Sequence, residues 1–262
     1  MNDSGHKKKN RLYRWIWVLV LLLAWELTVR LSDISPLMLP GIGDILSALV
    51  RDATEGRLLT QTLFSLGMIA GGMLCSFVLA LFLAYLSRLH EIPEALVQVL
   101  CTIAHPLPGL ALMPLIILWF GTGTGAVFAL IVHSALWPLL LNLVTGLERT
   151  PELYTDLGKS LSMSQTAVFF EIRLRYAAPE LIAGLKTAWA RSWRAFIGAE
   201  MVFGAVGAYG GIGSYLLTRR TFMDTAGLFA GILIVVLIGI FVEGLLFRLI
   251  EKQTVDKWGM RT

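Results

Sequence analysis

Long, nearly uncharged apolar runs constrain this chain more than any other feature. They occupy residues 15–31, 62–86, 94–120, 126–147, 179–204 and 226–247. A helix needs about 20 such residues to cross a hydrocarbon core. No water is present there, so every backbone N–H and C=O must be paired within the protein, and a helix pairs them within its own segment. Only 15% of the 262 residues are charged and 56% are hydrophobic, whereas a soluble domain carries about a quarter charged residues. The expectation is an all-α polytopic membrane protein with six transmembrane helices.

The layout follows from the runs. Residues 1–14 form a basic tail with Lys7, Lys8, Lys9, Arg11 and Arg14; residues 15–61 hold the first span and an outer connection; residues 62–249 are a core of five spans; residues 250–262 are a charged tail. Trp15 and Trp17 open the first run at an interface position, and no small-residue cleavage site follows, so it reads as a retained anchor. Within the connection, Ile45, Leu49 and Ala53 have helical spacing and suit a helix lying on the membrane surface. Gly67 and Gly71 are four apart, a spacing that lets helices approach closely. The third span is interrupted by His105-Pro-Leu-Pro-Gly109, where two prolines and a glycine cannot continue a regular helix. Gly121-Thr-Gly-Thr-Gly125 reads as a tight turn, and the glycine-bearing stretch 205–225 as a flexible connection. Cys75 and Cys101 lack disulfide or metal spacing and read as small apolar fillers.

One polar interlude, 148–178, differs from everything around it. Thr150-Pro151 is a helix-start signal. Leu153, Leu157 and Leu161 recur every fourth residue and share one face, with Asp156 and Lys159 off it. Ser162 with Gln165 fits a capping box that starts a second helix, and Phe169, Phe170, Ile172 and Leu174 supply its apolar bulk. Two short amphipathic helices with a sharp break are expected.

Six spans put both ends on one side. Lysine and arginine mark that side as cytoplasmic: it carries the basic N-terminus, Arg88, Arg149, Lys159, Arg173, Arg175 and the C-terminal tail, against Arg30, Arg51, Arg57, Arg219 and Arg220 opposite. The interlude then lies in the cytoplasm.

Ionisable residues inside spans are costly and are candidates for function. They concentrate in the fifth: Lys186, Arg191, Arg194 and Glu200. Arg191 and Arg194 share a face, and two readings fit them, a translocation path that favours anions or ion pairs with carboxylates on neighbouring helices. Lys186 and Glu243 fall at similar depth and suit a structural pair; Glu26 and Glu200 suit arginine partners. His105 and His133 are lone histidines, without a second ligand at metal spacing, and His105 stands at the helix break together with Pro106 and Pro108. No catalytic site and no metal site is expected: HExxH, GxSxG and GxxxxGK[ST] are all absent from the sequence, so this chain has no nucleotide-binding loop of that kind.

The interlude resembles the EAA loop of the membrane subunits of ABC importers, E-A-A followed by Gly and, after a spacer, I-x-L-P. Registered on Ile172 and Leu174, Asp156 takes the Glu position, Leu157 and Gly158 the two Ala positions, Ser162 the Gly and Arg175 the closing Pro. Residues 107–121, LPGLALMPLIILWFG, resemble the corresponding segment of the nitrate/taurine/sulfonate-type branch, and Gly211-Ile-Gly213 with Trp258 is similar to its ending. The resemblance implies a type I ABC importer permease fold in the inner membrane, with N- and C-termini cytoplasmic. It implies a second permease subunit, here an identical chain, an ABC ATPase subunit dimer that carries ATP and Mg, a periplasmic solute-binding protein, surrounding lipid and no nucleic acid. Asp156, Leu157, Gly158, Ser162, Phe169, Ile172 and Leu174 would couple to the ATPase; His105, Pro106, Pro108, Arg191 and Arg194 would border the path. An ion-gradient-driven secondary transporter is the alternative.

Overall fold

A computed structural model gives the structure of residues 3–254, and every regular element among them is helical. Trp258 lies outside the described residues. The helices are α1 (Asp3–Leu31), α2 (Ile42–Thr54), α3 (Leu58–Ser87), α4 (Glu91–Ala104), α5 (Met113–Phe120), α6 (Thr124–Glu148), α7 (Glu152–Ser160), α8 (165–176), α9 (Ala178–Phe203), α10 (Ile212–Thr221) and α11 (Thr225–Gln253). Four of them, α1, α3, α6 and α11, are long and apolar enough to cross a membrane. The pair α4 and Gly109–Phe120 meets at 91° and makes a fifth if counted as one broken span. The remaining expected span is α9, 26 residues long but interrupted by charge.

α6 is the centre. Leu130, Ile131, Leu139, Leu140, Leu143 and Leu147 on it are almost fully buried, and it packs most extensively against α9 and α3. Lipid tails are as apolar as leucine, so close fit rather than water exclusion holds such helices together. Glycine supplies the fit at the α6–α9 crossing: a Cβ on Gly184 would lie 2.9 Å from Asn142 Cβ and 3.3 Å from Leu139 Cα. On α3 the closest contact is not made by the Gly67–Gly71 pair, of which only Gly71 meets α6, at 3.6 Å from Phe128. Gly67 has nothing within 4 Å, and Gly72 is the glycine pressed onto Ile131. The two fall on different faces because five residues are not a whole number of turns. One turn on, the Ser76 hydroxyl lies 3.2 Å from the Val132 carbonyl.

α1 stands apart, with no buried residue in its most apolar window. Among the described side chains its ties lie near its end. Trp25 Nε1 donates to the Pro40 carbonyl at 3.0 Å, and Glu26 accepts from the Ile42 N–H at 3.1 Å while pairing with Arg30 at 2.7 Å.

The 205–225 connection is not a flexible loop. It contains α10, whose first five residues are buried. Glu200 makes this possible, and its partners are amides rather than an arginine. Its carboxylate accepts the N–H groups of Gly211 (2.6 Å), Gly213 (3.0 Å) and Ser214 (3.3 Å), and Ser65 Oγ accepts that of Ile212 (2.8 Å). These amides have no partner inside their own helix, and a carboxylate there also meets the positive end of the helix dipole. Lys186 pairs with Glu251 rather than Glu243. The turn Val242–Leu246 is π-helical, which rotates the surface of α11, and leaves Glu243 exposed.

A polar knot joins α2 to α10 and the start of α11. Buried Asp52 accepts from the Tyr215 hydroxyl at 2.6 Å and pairs with Arg219 at 2.8 Å and Arg51 at 3.1 Å; Arg219 also holds Asp224 at 2.8 Å. Burial alone would raise the Asp52 pKa, but the hydrogen bonds from Tyr215 and Arg51 and the charges of Arg219 and Arg51 outweigh it, so the pKa lies below its ordinary 3.8. A depressed carboxylate stabilises the fold above its unfolded pKa and loses that contribution as pH falls through the folded one. Acid unfolding in detergent should therefore steepen below about pH 4, and Asp52→Asn should flatten that acid limb.

Gly184→Leu should overpack the α6–α9 crossing by about 1–3 kcal/mol and lower the thermal midpoint. Gly239→Leu, at a position with open space around it, should leave the midpoint unchanged or raise it.

Candidate functional site

The residues singled out from the sequence fall into two places. The first is the helix break. Pro106 and Pro108 cannot donate to the preceding turn, so carbonyls at the end of α4 are left over. The turn Gly109–Leu112 lies directly on α6: a Cβ on Gly109 would come within 2.8 Å of Ser134 Oγ. Arg191 reaches across from α9. Its Nη1 donates to the His105 carbonyl at 3.1 Å, and its Nη2 lies 3.4 Å from His105 Nε2. Arg194, one turn further, is exposed. Among the described residues neither guanidinium contacts a carboxylate. His133 accepts a hydrogen bond from Trp137 Nε1 at 3.0 Å.

A cavity of about 380 Å³ opens here. His105, Pro106, Pro108, Arg191 and Arg194 all line it, with His133, Ser134 and Trp137. A second hollow of about 520 Å³, bordered by Gln98, Thr102, Thr145 and Glu148, also touches His105 and Pro106. The break thus separates a hollow with two arginines from one that runs toward the 148–178 end. Such a lining offers guanidinium donors and no metal ligand set: no group of three or more His, Cys, Asp or Glu side chains suited to a metal occurs among the described residues.

The second place is the 148–178 segment, where α7 and α8 form as expected but with different stops and starts. Pro151 caps α7, and the Thr150 hydroxyl is buried without a partner. Ser162 does not begin α8. It sits at φ 58° just past the end of α7, donating its N–H to the Lys159 carbonyl at 2.9 Å, and the Met163 N–H returns to Gly158 at 3.0 Å. This left-handed turn ends helices and favours glycine. Ser164 is the N-cap of α8, accepting the Ala167 N–H at 3.2 Å, so the N-cap lies two residues after the predicted Ser162, and with alanine at N3 the capping box predicted on Ser162 and Gln165 does not form.

The segment has an inner and an outer face. Gly158 is buried: a Cβ there would lie 2.7 Å from Ile172 Cδ1 and 3.1 Å from Val168 Cγ2. Phe169 is buried and meets the Tyr85 ring edge-on at 5.1 Å at the end of α3. Ile172 and Leu174 are half-buried. Asp156 is exposed, with Lys159 at 2.9 Å. The outer face is the leucine stripe, with Leu153 75%, Leu157 55% and Leu161 69% exposed. Leu153 and Leu161 were visible in the sequence as members of the stripe, but the motif register drew attention only to Leu157. Tyr85 carries no sequence signal that links it to Phe169.

Residues 76–255 match the family described as binding-protein-dependent transport system inner membrane component. The chain is similar to the formylaminopyrimidine transport permease protein ThiX of Halalkalibacterium halodurans, 29% identical over 86% of this chain and 88% of that one. It is also similar to the taurine transport system permease protein TauC of Escherichia coli, 26% identical over 93% and 92%. The putative aliphatic sulfonates transport permease protein SsuC of Bacillus subtilis is 25% identical over 98% and 93%.

Ser162→Gly should remove the left-handed penalty of roughly 1 kcal/mol and raise the thermal midpoint. Ser162→Pro, which cannot adopt a positive φ and loses the N–H given to Lys159, should lower it and expose 150–176 to hydrogen exchange.

Proposed function

Because the chain belongs to the family of binding-protein-dependent transport system inner membrane components, we propose that it is the permease subunit through which an ATP-driven importer moves a small anion. It is a multi-pass inner-membrane protein of the ABC importer permease kind. In this reading α1, α3, the broken α4–α5 pair, α6, α9 and α11 are six spans with both termini in the cytoplasm. Two identical chains form the pore. A periplasmic binding protein delivers solute to the α2–α10 end, and ATP with Mg is bound and hydrolysed on a separate ATPase dimer.

The observation that carries the proposal is the two-faced 148–178 segment. Its inner face locks α7 onto α8 through Gly158 and α8 onto the end of α3 through Phe169, and its outer face is an apolar stripe left open. A stripe of that kind marks a binding surface. Three leucines at helical spacing are anchors for a groove on a partner. Force applied to the stripe passes through the Phe169–Tyr85 contact to α3 and, through the packing of α3 on α6, to the centre of the bundle. This is coupling between two sites through one mechanical element.

The solute class rests on the cavity at the break. Arg194 lines it, exposed and without a carboxylate partner among the described residues, a guanidinium placed for an oxyanion. Arg191 holds the broken end of α4. The relatives' names include taurine and sulfonates, which carry such a group.

The chain reconstituted with its ATPase in proteoliposomes tests this. Replacing Leu153 and Leu157 by Glu should lower ATP-driven uptake by roughly tenfold or more and abolish co-purification of the ATPase, without moving the thermal midpoint. Uptake that survives ATP depletion would instead assign a gradient-driven transporter. Arg194→Gln should raise the KM for an anionic solute severalfold with the ATPase still bound; unchanged uptake would remove Arg194 from the path.

A further inference from the structure

A third cavity, of about 210 Å³, lies behind the 148–178 segment, between the end of α3, α7 and α8. Its lining includes three cations, Arg88, Lys159 and Arg173, and no carboxylate. The three are not equally satisfied. Lys159 is exposed and pairs with Asp156. Arg88 has a side chain only 14% exposed; its Nη2 lies 3.1 Å from Glu94 and 3.4 Å from Glu148, but its Nε–H is buried with no partner. Arg173 is half-buried and contacts no carboxylate among the described residues. Burial first, and then the charge of Arg88, push its guanidinium below the usual value, with Glu94 opposing.

A desolvated cation whose nearby counter-charge, Glu94, is already paired with Arg88 is costly, so the arrangement has room for a further anion. The partner that docks on the leucine stripe does not supply it. Leu153 and Leu157 face outward, whereas the cavity is reached by Thr155, which is 4% exposed, on the opposite side of α7. Arg173 also closes the π-helical turn Val168–Arg173, a geometry that recurs at functional sites. The volume suits a small ion with its waters rather than a nucleotide.

We propose that this cavity binds a small oxyanion, a sulfate-, phosphate- or sulfonate-like group, that bridges Arg173 on α8 to Arg88 at the end of α3. Guanidinium forks match such oxygens in pairs. The bound ion clips the 148–178 segment to the bundle and stiffens the joint. The same chemistry is offered by a free ion and by the phosphate of an anionic lipid headgroup.

Hydrogen exchange over 150–176 in the full-length chain, without transport or ATPase, tests the site apart from the transport reading. In detergent, millimolar sulfate or phosphate should raise protection severalfold over chloride at matched ionic strength. If protection appears only in nanodiscs containing phosphatidylglycerol, and not in phosphatidylcholine alone, the oxyanion is a headgroup. In either case Arg173→Gln should abolish the response, and Arg175→Gln, exposed and outside the cavity, should keep it. Arg173→Lys, which retains the charge and the fold but not the fork, should weaken the response severalfold. Absence of an anion response in both media, or an equal response in Arg173→Gln and Arg173→Lys, would overturn the proposal.

Discussion

Inside a membrane no water takes up a stray carbonyl, and this one constraint shapes the molecule. Wherever the chain stays helical it pairs its own backbone. Where it breaks, another side chain must complete the pairing. At the 105–108 break that side chain is Arg191, whose Nη1 meets the His105 carbonyl. At the start of α10 it is Glu200, whose carboxylate takes three amides. Both come from α9. The charges Arg191 and Glu200 that interrupt α9 are the parts that allow its neighbours to stop, turn and restart.

That division of labour organises the rest. α6 and α9 form the fixed centre, packed through Gly184. α9 holds a broken helix in place around an arginine-lined cavity at mid-length and a buried short helix at one end. At the other end the chain leaves the bundle as α7 and α8, which are held to each other through Gly158 and fastened back to α3 by Phe169. Ring packing and a glycine contact tolerate little slack, because interiors are close-packed and a void forfeits its contacts outright. A segment fastened in this way moves with α3 and α6 rather than independently of them, which a lever requires.

Much of this was legible in the sequence, and the misses have physical causes. Long apolar runs and the two-proline interruption located the long helices and the break, since lipid leaves a chain few alternatives, although α1 begins at Asp3 and not at Trp15. The leucine stripe was readable because helical spacing is local. Long-range partners were not. Glu200 read as an arginine's partner, because nothing local says that glycines eleven to thirteen residues later will turn their amides onto it. Lys186 met Glu251 instead of Glu243 because a π-helical turn leaves no clear composition signal. Ser162 was placed at the right point but in the wrong role: serine is a common N-cap and an uncommon left-handed residue, and the structure uses it as the latter. Arg191 and Arg194 both line the cavity, and their shared face concealed that one holds the backbone and the other is exposed.

The central claim is that residues 148–178 are a lever worked from outside the bundle by a second polypeptide. Site-specific crosslinking in intact cells tests it most directly, with photoreactive side chains placed singly at Leu157, Leu161 and Phe169. The account predicts a covalent adduct with a cytoplasmic ATPase from Leu157 and Leu161 and only internal products from Phe169. Adducts confined to lipid at all three positions, or labelling of Leu157→Cys by an impermeant reagent added to the periplasm, would contradict it.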